Sequence, residues 1–157
     1  MLAASRILFL LVGLFWLLIG VLAALLQDRG IGPTMLFISH RTDEALFGAP
    51  PEEILATNSE LVTLRYMTIR TLAGLLVAVG LLTAGIAWFG LRAPQAWPLA
   101  LVTALGLVVL PFWWITLGPY RTAGIRVGLG DIPPFMWVPA ILMPLASTLG
   151  WIGYLRA

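Results

Sequence analysis

Residues able to do chemistry are few in this chain, and they are crowded together. The stretch ISHRTDEALFGAPPEEILATNSELVTLRYMTIR, Ile38 to Arg70, holds five of the seven acidic residues, three of the nine arginines and the single histidine. His40, Asp43 and Glu44 are of the types that ligate a divalent cation or form an acid–base pair, and on a helix their spacing would put them on one face. One histidine with two carboxylates is also what a solvated surface segment looks like. We assign no catalytic residue and no metal, and keep these three as the side chains a metal would use.

A second set could bind an anion. On a helix Arg70 shares a face with Tyr66, Met67, Gly74 and Val77 or Ala78. The small residues on that face suggest that it packs against a neighbour, which would aim Arg70 into the mouth of a bundle. With Arg121, and with Tyr66 and Glu60 beside it, Arg70 forms a candidate site for an anionic headgroup or a carboxylate, which a guanidinium holds bidentately. The alternative is that both arginines snorkel to lipid phosphates or pair with nearby carboxylates. An inward Arg70 would need a partner, so Arg70→Ala is expected to cost more stability than Arg41→Ala or Arg126→Ala.

What is missing narrows the function further. There is no cysteine and no lysine, which excludes disulfides, thiolate metal sites and Schiff-base chemistry on this chain. No nucleophile–base pair, glycine-rich phosphate loop or basic run is present, so the chain reads as non-enzymatic, without cofactor and without nucleic acid.

The elements that carry these residues are apolar. The composition is 61% hydrophobic and 10% charged, with a mean hydropathy of +1.00. A soluble domain carries about 25% charged residues. Four runs, Ile7–Gln27, Thr71–Leu91, Pro98–Leu117 and Phe135–Leu155, reach the roughly 20 apolar residues that cross a bilayer. None contains Asp, Glu, Arg or His. The first is longer than a signal core and reads as an uncleaved helix. The fourth is interrupted by Pro139 and Pro144, which spanning helices tolerate when neighbours satisfy the freed carbonyls.

The expected fold is therefore all-α: one transmembrane domain over residues 1–157, a four-helix, up-down-up-down bundle with shallow left-handed crossings. Four spans place both termini on one side, and the short tail with Arg6 before a long apolar run favours the cytoplasm, in the cell (inner) membrane. A bare arginine count favours the reverse. All seven acidic residues then face outward, in the segment 28–70 and the loop 118–134.

That long segment reads as a structured cap. Pro51 suits a first helical position, with Glu52 and Glu53 in the first turn. Thr57 and Glu60 fit a capping box for a helix starting near Asn58. In the second loop Arg121 and Arg126 are expected to pair with surplus carboxylates of the first. Gly74 with Ala78, Gly80 with Ala84, and Ala100 with Ala104 are candidate helix-contact pairs, and Trp97, Trp113, Trp114, Trp137 and Trp151 lie near span ends.

In length, span number and a longer outward segment after the first helix, the chain resembles DoxX-like small bacterial membrane proteins. Some of these look like membrane partners of quinone-linked oxidoreductases. The resemblance implies an accessory subunit, or a protein that holds a lipid- or quinone-like ligand, with the bilayer and other membrane subunits as partners. The competing reading is an outward-facing enzyme or uniporter-like carrier using the cap and Arg70. Single cysteines placed at Ser59 and Thr122 are expected to react with an impermeant thiol reagent from outside the cell, and one at Gln95 only from within. The inverse labelling pattern reverses the orientation.

Overall fold

The computed structural model describes residues 1–27 and 36–157. The part of the expected cap between them, with Arg29, lies outside the described residues. Four long helices form the bundle: α1 (Leu2–Gln27), α4 (Ser59–Phe89), α5 (Ala96–Thr116) and α7 (Pro134–Leu155). Each is long and apolar enough to cross a membrane, and no strand occurs among the described residues. The protein is an all-α, multi-pass membrane protein. Three short helices, α2 (His40–Phe47), α3 (Pro51–Thr57) and α6 (Gly118–Thr122), gather at one end. At the other end Gly153 lies against Leu2, so the two termini are neighbours.

Helix α1 is the centre of the arrangement, packing along both α4 and α7, while α5 packs on α7. Contact between α1 and α4 runs through glycine. A Cβ on Gly13 would lie 2.7 Å from the Ala84 nitrogen, one on Gly20 2.7 Å from the Ala73 carbonyl, and one on Gly80 2.6 Å from the Leu17 nitrogen. Gly13 and Gly20 are seven apart, as are Ala73 and Gly80, and this is the repeat that keeps one seam in register along a left-handed crossing. Of the expected small pairs, only Gly80 with Ala84 is found in this seam. Gly74, Ala78, Ala100 and Ala104 are exposed. A spacing of four thus marks the seam at Gly80 and Ala84 but not at the other two pairs, because it takes no account of where the glycines on α1 lie.

Prolines shape α7 without breaking it. Pro139 has no N–H, so the carbonyl four residues earlier, that of Phe135, loses its helical donor. The indole Nε1 of Trp16 donates to that oxygen at 3.0 Å. Nearer the termini, Ser5 Oγ donates to the Ala146 carbonyl at 2.7 Å. Phe9, Val12, Ala87, Leu91, Leu99, Val102, Met143 and Ala146 fill the core at this level, drawn from α1, α5, α7, and α4 with the turn that follows it.

The α1–α4 seam makes a sharp prediction. Gly80→Ala must push the two backbones apart and is expected to lower the melting temperature in detergent by several degrees. Gly85→Ala, whose Cβ meets nothing within 4 Å, should be neutral or slightly stabilising, because Ala is the better helix former. Equal effects of the two changes would contradict the seam.

A lateral cleft beneath a hydrogen-bonded cap

Asp43 organises the cap. It sits in the first turn of α2, is fully buried, and accepts hydrogen bonds from the backbone N–H groups of Leu36, Phe37 and Ile38 at 2.8, 2.8 and 3.2 Å. The hydroxyl of Tyr120 in α6, itself buried, donates to the same carboxylate at 2.7 Å. One side chain thus ties the chain entering α2 to the loop that follows α5. Ser39 caps α2. Gly48 ends it with φ of 78°, a left-handed geometry that glycine adopts at no steric cost.

A clasp on the surface adds to this tie. Arg41 forms a two-pronged pair with Asp131 through Nε and Nη2, and a further Nη2 bond at 3.0 Å to the Arg126 carbonyl. The hydrogen bond from Arg41, then that from the Gly128 N–H, holds the Asp131 carboxyl below the usual carboxylate range. The two loops are therefore joined by an ion pair, but with the opposite polarity to that expected. The cation comes from the first loop and the carboxylate from the second. Arg126 contributes only its carbonyl, and Arg121 stacks on Trp114, 3.6 Å from the ring centre, donating to the Trp114 carbonyl.

The other candidates are distributed as follows. His40 bonds Glu52 at 3.0 Å and lies 3.7 Å from Glu44. Asp43, although one turn away on the same helix, is turned inward and consumed by its four donors. No group of three His, Asp or Glu assembles a metal site among the described residues. Arg70 lies over the Tyr66 ring at 4.3 Å and bonds its hydroxyl at 2.9 Å. The face it shares with Met67, Gly74 and Ala78 is exposed rather than packed. Glu60 stands exposed in the first turn of α4. The cap of that helix is Asn58, whose Oδ1 accepts from the N–H groups of Glu60 and Leu61. Thr57 instead ends α3, its hydroxyl turned back to the Ile54 carbonyl, so the capping-box assignment was displaced by one residue.

What the sequence reading missed is a cleft. Helices α4 and α5 follow each other in the chain but touch little. At the terminal end they are held by the turn Gly90–Arg92, with Gly90 against Pro98. At the cap end α3 packs on α4, α2 on α3 and α6, and α6 continues α5. Between these closures a cleft of about 280 Å³ opens. Leu72, Leu75, Leu76 and Val79 form one wall, and Leu105, Val108, Val109, Phe112 and Trp113 the other. Trp16, Phe135, Met136 and Pro139 form its floor. No charged side chain lines it. The only trace in the sequence was Trp16, a tryptophan in mid-span rather than near a span end.

No family model matches this chain, and no protein of curated function or solved structure does so. The site is therefore defined by its own geometry.

Removing the acceptor at position 43 should loosen the cap. Asp43→Ala strands four donors, two of them among buried residues, and is expected to cost about 3 kcal/mol or more. Tyr120→Phe removes one bond to a charged group and should cost about 1.5–3 kcal/mol. Denaturation in detergent gives the ranking, and limited proteolysis near Gly48 reports the cap directly. The clasp has a defined pH window. Because the folded Asp131 value lies below its ordinary 3.8, its stabilisation is complete above that pH and is lost as pH falls through the folded value. Proteolysis of the cap should thus be unchanged between pH 7 and 5 and rise only in stronger acid. Arg41→Ala should abolish the clasp's part of that acid step.

Proposed function

We propose that this protein holds a lipid-like chain in the α4–α5 cleft, as a non-enzymatic binding protein of the membrane. The observation that carries this reading is the shape of the seam: closed at the cap, closed at the inter-helix turn, and open along the side that faces lipid. The cap joins the ends of α4 and α5 through α3, α2 and α6, so a ligand would enter sideways from the bilayer.

The cleft is narrow and its lining is wholly apolar. A flexible apolar chain fits, at roughly the lower limit of the 300–1,000 Å³ typical of ligand sites. The aromatic residues Trp16, Phe112, Trp113 and Phe135 give such a chain flat, rigid walls. This supports ligand holding over the accessory-subunit reading, although the two are compatible where a partner protein receives the ligand.

The test is purification in mild detergent followed by native mass spectrometry. Wild type is expected to retain a lipid-like adduct through detergent exchange. Leu76→Trp, which fills the cleft from the α4 wall, should lose it without loss of folded protein. An adduct-free wild type, or an adduct kept equally by Leu76→Trp, contradicts the proposal. A co-purifying protein chain in place of the adduct would favour the accessory subunit.

A further inference from the structure

The α4 wall of the cleft is apolar along its length, but the same helix face ends in a charge. Leu72, Leu76 and Val79 line the cleft. At 3.6 residues per turn, the residue seven before Leu72 lies within about 20° of its line. That residue is Arg65. It is half-buried and stands about 10 Å toward the cap from Leu72, from a rise of about 1.5 Å per residue. Arg70 is turned roughly 140° away from Arg65 on the same helix, and is exposed. Helical register therefore separates two arginines that look alike in the sequence, and of the two Arg65 is the one in line with the cleft wall.

We infer that the ligand is an amphiphile with an anionic head, a carboxylate or phosphate, taken by Arg65 while its chain lies along Leu72, Leu76 and Val79. The inference rests on the lipid-holding reading above. Two features carry it. The cleft offers nothing to a polar head, so the head must leave it at an end or through the side. At the cap end Arg65 lies in line with this face, two turns beyond Leu72, the first α4 residue of the lining. Of the cap carboxylates, Asp43 is engaged by its four donors, Asp131 by Arg41 and Glu52 by His40, while Glu53 and Glu60 stand exposed. Arg65 itself has an interaction within the chain. A guanidinium has five N–H donors in a planar fork, so an anionic head can share it or replace the existing contact. The fork matches carboxylate and phosphate geometry in a way an ester or alcohol head does not. Partial burial strengthens the charge contribution relative to a fully exposed arginine.

The experiment measures retention of palmitic acid and of its methyl ester by the delipidated full-length protein, using native mass spectrometry. Acetate and inorganic phosphate serve as soluble anions. Wild type should hold the acid at least tenfold more tightly than the ester and should hold neither soluble anion measurably. Arg65→Gln should bring acid and ester to equal, weak retention. Arg65→Lys should recover part of the preference, and Arg70→Gln should keep all of it. Equal retention of acid and ester by wild type, or a preference unchanged in Arg65→Gln, overturns the headgroup assignment while leaving the cleft reading intact. So does tight binding of acetate or phosphate alone, which would show an anion site independent of the chain. Leu76→Trp separates the two levels. It should lose acid and ester together, and if it loses neither, the cleft reading fails as well. Should Arg65→Gln not fold, the Arg65→Lys variant decides: an acid-over-ester preference reduced from wild type but not abolished supports the guanidinium contact, and a preference equal to wild type or absent overturns it.

Discussion

A carbonyl that loses its helical donor inside hydrocarbon must find another, and at Phe135 the donor is the indole of Trp16. An unsatisfied polar group costs several kcal/mol in that medium, so the bond at 3.0 Å fixes where α1 and α7 meet on the cap side of the bundle. Pro139 creates the need and Trp16 meets it from the neighbouring helix. The same three residues, with Met136, form the floor of the cleft. The position of the cleft thus follows from a backbone requirement rather than from side-chain packing alone.

From this anchor the remaining arrangement follows. Gly13, Gly20 and Gly80 draw α1 and α4 together until backbone nearly touches backbone. Met143 against Gly106 does the corresponding work between α7 and α5. Both outer helices are held by the central pair, and neither needs the other. Their mutual seam is left to be closed only at its ends, by a short turn and by the cap. Asp43 makes the cap rigid enough for that task, since its one carboxylate is shared by the chain before α2 and by α6. A side opening between α4 and α5, beneath a cap that links their ends, is the outcome.

The four spans, a helix start close to Ser59 and the helical character of Pro51–Thr57 were legible because they depend on composition and proline placement, which are local, although the cap itself was read one residue early, at Thr57 instead of Asn58. The polarity of the loop clasp was not. Arg126 and Arg41 look equivalent in sequence, and only the fold shows that Arg41 reaches Asp131. Asp43 was seen as a possible metal ligand because its residue type was visible, whereas the three backbone N–H groups that saturate it are a property of the local turn. The cleft was hidden for a related reason. Leu72, Leu105 and Phe112 read as ordinary lipid-facing residues, and nothing in one helix says how far away its neighbour will stand. Arg70 drew attention through the small residues on its face, yet glycine and alanine mark a contact only where a partner helix presents its own.

The central claim is that α4 and α5 stand apart in the cap-side half of the membrane and enclose a lipid-like chain. An experimental structure of the protein in a lipid bilayer tests it most directly. The account predicts elongated density between Leu72–Val79 on one side and Leu105–Phe112 on the other, resting on Trp16 and reaching toward Arg65. Direct packing of α4 on α5 along those residues, with no space between them, would contradict it.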